Sequence, residues 1–158
     1  MTLQHHVSTG MPGGVPGSRA GFGPVVYYPN TLVGETPVSV GGFVWPGTNA
    51  AVQAKCSGTG VPLGFVERSS VYPNFDIMSS GSLDVPAGAA LAIAVKGDYW
   101  AVSATDAVVG HKVYVSLAGG DIATYEAGKS LSGFIETAWA VVTNGEAGEP
   151  IIISNWSE

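Results

Sequence analysis

The chain has 158 residues, 46% of them hydrophobic and only 11% charged, with a formal net charge of −6. That length fits one ordinary domain, and that hydrophobic share supports a core. Six Lys and Arg scattered along the chain make no basic stripe, which argues against nucleic acid or an anionic membrane surface as a partner.

The opening MTLQHHVSTG has neither a basic n-region nor an apolar h-region, and no window reaches about 18 uninterrupted apolar residues, so synthesis and folding in a cytoplasm are expected. Residues 1–24 read as an extended arm. Met11 to Pro24 holds five Gly and three Pro, a composition that breaks helices and donates poorly to a sheet. Val15 and Phe22, then Val25, Val26, Tyr27 and Tyr28, give the arm apolar and aromatic residues that need something to lie on. Terminal disorder is the plain alternative.

Residues 25–158 read as a single β domain. Val25–Tyr28 ends at the turn signal Pro29-Asn30. Pro37–Trp45 gives one or two short strands broken at Gly41-Gly42, and a turn follows at Pro46–Asn49. Ala51–Cys56 is a short strand closed by Ser57–Gly60, and Gly64–Val71 runs to a break at Tyr72–Asn74. Val85–Gly88 is a β-turn with Pro86 expected at its second position. Ala89–Val95 is apolar throughout, and Lys96-Gly97-Asp98 is expected to fold Tyr99–Val102 back on it as a hairpin. Gly110–Leu117 alternates, with Val113 and Val115 on one face and Tyr114 on the other. Ala118–Asp121 turns it into Ile122–Tyr125. Gly133–Val142, the turn signal Asn144-Gly145 and the strand Pro150–Trp156 complete the chain. With no sustained helical period and turns every few residues, the expected class is all-β. It is an antiparallel β-sandwich, jelly-roll-like, or a small barrel, with the N-terminal arm attached.

Three stretches begin with Gly-Phe and a β-branched residue: Gly42-Phe43-Val44, Gly64-Phe65-Val66 and Gly133-Phe134-Ile135. Their uneven spacing excludes a solenoid or propeller period. They read as strand starts, with Phe43, Phe65 and Phe134 buried. Glu67 and Glu136 then point to one side of their strands. As a pair they could make a glycosidase-like acid and base, but solvated strand residues are the plainer reading, with Arg68 near by. His5, His6 and His111 do not cluster, and Asp98, Asp106 and Asp121 lie at turns without a calcium-loop spacing, so no metal and no cofactor are expected. Ala127–Ser130 ends like a phosphate loop but lacks its upstream glycine and helix, and no Ser or Cys nucleophile has a partner base. Cys56, the single cysteine, reads as a buried free thiol. No enzyme is expected.

The ordered motifs Gly64-Phe65-Val66-Glu67-Arg68, Val85-Pro86-Ala87-Gly88, Gly97-Asp98-Tyr99-Trp100-Ala101-Val102 and Val109-Gly110-His111-Lys112-Val113-Tyr114 resemble the structural cement proteins of tailed bacteriophages. The resemblance spans about residues 41–120 and continues less distinctly through residues 133–156. It implies a non-enzymatic capsid decoration protein. Such a protein is made in the host cytoplasm and sits on the outer surface of the virion head. Its partners are the major capsid protein and other copies of itself, as a dimer or trimer. Val15, Arg19, Phe22, Tyr27 and Tyr28 are the candidate contacts with capsid or neighbour. The rival reading is a carbohydrate-binding β-sandwich, which requires exposed coplanar aromatics beside Asp or Asn in a groove. A cement protein requires its aromatics in the core or flat against a protein partner.

Overall fold

A computed structural model describes residues 14–69, 72 and 84–156. Residues 1–13 of the expected arm, including His5 and His6, and Pro73-Asn74 of the expected break lie outside the described residues. Among the described residues there is no helix. In chain order the strands are β1 Val26–Tyr27, β2 Leu32–Gly34, β3 Val38–Ser39, β4 Phe43–Pro46, β5 Gln53–Lys55, β6 Gly64–Val66, β7 Asp84–Val85, β8 Ala90–Leu91, β9 Ile93–Lys96, β10 Asp98–Val102, β11 Lys112–Ser116, β12 Ile122–Tyr125, β13 Phe134–Val141 and β14 Pro150–Ser154.

They form a seven-stranded sheet ordered β1-β9-β6-β4-β5-β2-β8, a five-stranded sheet ordered β10-β14-β13-β11-β12, and a two-stranded ribbon β3-β7. The all-β class holds, and the sheets stack as layers; the barrel alternative does not occur, because both large sheets are open. The pairing is antiparallel throughout the named strands except between β2 and β5, which run parallel.

The alternation of side chains along a strand explains why the central strands are apolar without a break. In β4, Phe43 and Trp45 face one core cluster and Val44 faces another; in β6, Phe65 and Val66 divide the same way. The first cluster lies between the two large sheets. There Phe43, Phe65, Tyr99 and Trp139 meet edge-on or tilted, with the centroids of contacting rings 5.1 to 6.1 Å apart. The second lies on the far face of the seven-stranded sheet, under the ribbon, and holds Leu32, Val38, Val44, Val66, Val85 and Ile93. At β4, β6 and β9 the middle sheet is thus buried on both faces.

Several local expectations change. The hairpin of Ala89–Val95 with Tyr99–Val102 does not form. Instead β9 pairs with β1 and β6, and β10 pairs with β14 in the other sheet. Gly97 stands between them at φ 154°, where a Cβ would come within 2.7 Å of Tyr99 Cε2. This backbone region is open to glycine alone, and it carries the chain across to the second sheet. The turn after β7 closes with Ala89 N–H donating to Pro86 O, so Pro86 is its first residue, not its second, and Gly88 takes the φ of 84° at the third. Asn144-Gly145 is not the tight turn between β13 and β14. Asn144 Oδ1 accepts from Val109 N–H and Gly145 pairs with Ala107, and the chain turns later, at Ala147-Gly148. Phe134 is half-buried, unlike Phe43 and Phe65, because β13 is set in the opposite register: Ile135, not Phe134, packs on the first cluster. The β11–β12 hairpin is as expected, with Val113 opposite Thr124 and Val115 opposite Ile122.

Candidate interaction surface

Arg19 is the sole Asp, Glu, Lys or Arg among residues 1–34. Its position explains how residues 14–28 are held. Gly17 N–H donates to Trp100 O at 2.8 Å, Ala20 N–H to Asp98 O at 2.9 Å, and Trp100 N–H to Ser18 O at 2.8 Å. Residues 17–20 therefore lie along β10 and cover the free edge of the five-stranded sheet. Eight residues after Arg19, Tyr27 sits in β1 on the edge of the seven-stranded sheet, opposite Ala94. The segment is a strap across both layers. Between its two anchored ends, Gly21 to Pro24 are exposed, and Phe22 stands clear of the surface at 109% relative exposure.

Glu67, directly after β6, ties the two ends together. Its Oε1 accepts from Arg19 Nε at 3.0 Å, and its Oε2 accepts from the Tyr27 hydroxyl at 2.6 Å and from the Tyr99 hydroxyl at 2.8 Å. Arg19 also donates to the Tyr27 oxygen, closing a ring of three side chains. Glu67 is only 9% exposed. The expectation of a solvated glutamate is therefore corrected, for a buried carboxylate requires this set of donors. Burial first, then the bond to Glu67, raises the pKa of both Tyr27 and Tyr99. Arg19 is raised by its bond to Tyr27 and then by Glu67. All three donors keep their protons through the ordinary pH range. Arg68 takes the other side of the strap, its N–H donating to Gly17 O at 2.8 Å and its Nε to Pro16 O at 3.4 Å.

Glu136 has its own partners. Its Oε2 accepts from the Tyr114 hydroxyl at 2.7 Å and from Gly128 N–H at 2.7 Å. These bonds lower its pKa, the tyrosine contributing most. The Ala127–Ser130 turn is held by this carboxylate, with Lys129 Nζ 4.4 Å from the Tyr125 ring centroid. Each glutamate fastens a loop. They share no donor.

Of the five contact candidates, Val15, Arg19, Phe22, Tyr27 and Tyr28, three expose large apolar surface: Val15, Phe22 and Tyr27. Arg19 is exposed but engaged with Glu67, and Tyr28 is half-buried on the second core cluster. Val26 and Trp156 join the exposed set. Val26 lies opposite Lys96 across the β1–β9 pair, and Lys96 Nζ is 5.4 Å from the Trp156 ring centroid. Trp45, Trp139, Tyr99 and Tyr114 are in the interior, whereas Trp100 and Tyr125 are half-buried and Trp156 is exposed. Beside the strap opens a cavity of about 580 Å³, lined among others by Pro16, Val40, Phe43, Cys56, Arg68 and Asp121. Cys56 is half-buried on that wall instead of fully buried. Among the described residues no three His, Cys, Asp or Glu side chains gather as metal ligands.

The profile of the phage structural cement proteins matches residues 3–155. The chain belongs to that family. It is a structural protein of a phage capsid, and its fold recurs in solved phage structures. A chain from the capsid of Myoviridae phage XM1 superposes with TM-score 0.65 at 12% identity, covering 98% of each chain. The N base of head fiber gp8.5 from bacteriophage phi29 superposes with TM-score 0.50 at 11% identity, covering 83% of this chain and 93% of that one. No curated protein matches in sequence. At these identities the two structures show a shared fold. The strap's ion pair is hidden from sequence reasoning because its halves lie 48 residues apart; the isolated Arg19 is the signal that could have found it.

Proposed function

We propose that this cement protein binds the outer surface of the assembled head, bridges neighbouring major capsid subunits and stabilises the shell. Residues 1–24 act as its arm, and the strap face is the contact. The observation that carries this is the exposure of Val15, Phe22, Val26 and Tyr27 on a strap whose backbone and only cation are already tied down. Exposed apolar side chains on a fixed frame suit a protein partner. Val15, Phe22 and Tyr27 meet the shell, while Arg19 and Tyr28 hold the strap that presents them. Repeated sites on a shell turn a modest interface into firm attachment, more so when cement copies also touch one another.

The test is co-sedimentation of the full chain with capsids freed of decoration. Deleting residues 1–24 would also uncover the β10 edge, so point variants are cleaner. Saturable binding at a fixed ratio to capsid protein, lost in Val15→Ser with Phe22→Ser, supports the reading. Binding unchanged in that variant overturns the strap as the contact, and no binding by the unaltered protein overturns the attachment itself.

A further inference from the structure

We infer that the loop Gly21–Pro24 is a preformed plug carrying Phe22 into an apolar pocket of the shell protein, and that Glu67 is the positioning residue that keeps the plug in shape. This rests on the strap face being the shell contact. Among the described residues nothing covers the Phe22 ring, which is fully exposed. Its flanks, Gly21, Gly23 and Pro24, are exposed too, and a Cβ at Gly21 would meet nothing within 4 Å. A loop of this composition has little to fix its shape from inside. Its ends are fixed instead. Arg19 lies before the loop and Tyr27 after it, and Glu67 is the acceptor that holds both. The same carboxylate takes the hydroxyl of Tyr99, whose side chain is fully buried, so the clasp is anchored in the core. Holding the ends of a loop in the free protein removes ordering that would otherwise fall on the binding step. The partner chemistry follows from the plug: an uncharged aromatic ring calls for an apolar socket, and its binding should change little with salt.

Three measurements on the full chain test this. In Glu67→Gln, the amides of Gly17, Ala20 and Trp100 should exchange hydrogen faster while those of β11 and β13 are unchanged. Capsid affinity should fall by about tenfold, as two freed side chains and the loop must be ordered on binding. The losses from Glu67→Gln and Phe22→Ala should not add, because both act through one ring. Unchanged strap exchange, or fully additive losses, overturns the role of Glu67. Affinity that collapses between low and high salt overturns the apolar socket. If Phe22→Ala alone binds like the unaltered protein, the plug is overturned; the strap contact falls with it only if Val15→Ser with Phe22→Ser also binds normally, so the two failures are distinct. Should Glu67→Gln fail to fold, Tyr99→Phe keeps the buried ring, removes only the core hydroxyl of the same clasp away from any shell contact, and is read the same way.

Discussion

Phe22→Ala separates binding from folding more sharply than any other single change. In the free protein the ring is fully exposed, so its removal takes no apolar surface out of the core. The expected change in unfolding free energy is within about 0.5 kcal/mol, the range of surface substitutions away from caps and networks. In the proposed contact the same ring goes from water into an apolar site, a transfer of about 1.5–3 kcal/mol for a phenylalanine side chain. That corresponds to a loss of roughly 10- to 150-fold in affinity, since each 1.4 kcal/mol is a factor of ten. The assay pairs a denaturant titration of the free protein with a binding isotherm to capsids freed of decoration. A variant that unfolds at lower denaturant but binds normally would refute the argument, for it would place the ring in the protein's own packing and not in the partner's.

Gly97→Ala should destabilise the fold by about 2–3 kcal/mol, combining strain in a backbone region closed to side chains with the approach to Tyr99; a midpoint equal to the wild type in chemical denaturation would show that the corner is not strained. Glu136→Gln should alter the acid limb of stability. A carboxylate whose folded pKa is depressed contributes stability that is present above its unfolded value and lost as pH falls through the folded one. The thermal midpoint advantage of the wild type over the variant should therefore hold at neutral pH and shrink below the ordinary value of 4.5, and a difference constant into acid would contradict it. Trp139→Ala removes the indole that meets Phe43, Phe65 and Tyr99, and should lower stability by about 3–5 kcal/mol with loss of the near-ultraviolet dichroism of that cluster.

The faces of the strands were legible in the sequence, and their partners were not. Phe43-Val44-Trp45 and Phe65-Val66 display in their order the division between two cores, because a strand's side chains alternate whatever it pairs with. Pairing is a long-range property. Ala89–Val95 and Tyr99–Val102 have the spacing of a hairpin, and only the conformation of Gly97 decides that they part into two sheets. The β11–β12 hairpin was legible because Ala118–Asp121 does close it locally, whereas the Asn144 side chain is drawn away by Val109. Of the candidate contacts, Val15, Arg19, Phe22 and Tyr27 are exposed and Tyr28 is half-buried, while the exposed Val26 and Trp156 were not among them. The clasp was not legible, since Arg19, Tyr27, Glu67 and Tyr99 come from four separate stretches and meet only in the folded chain.

The repeated Gly-Phe-β-branched-Glu stretch joins two tasks that look separate. Its apolar part serves the core, fully in β6 and partly in β13. Its glutamate, one step further along the chain, fastens a surface segment: Glu67 the strap, Glu136 the Ala127–Ser130 turn. Both take tyrosine hydroxyls as donors, Tyr27 and Tyr99 for one and Tyr114 for the other. A neutral donor rigidifies a loop without adding charge to the surface. With 11% charged residues the chain adds such bonds to the ion pair of the strap, Arg19 with Glu67. A protein whose working surface lies against another protein gains from this choice, because each charge left under an interface must be desolvated or matched. On the proposed function, the low charge, the tyrosine-held loops and the bare Phe22 answer one requirement: rigid loops of low charge that can be pressed against a shell.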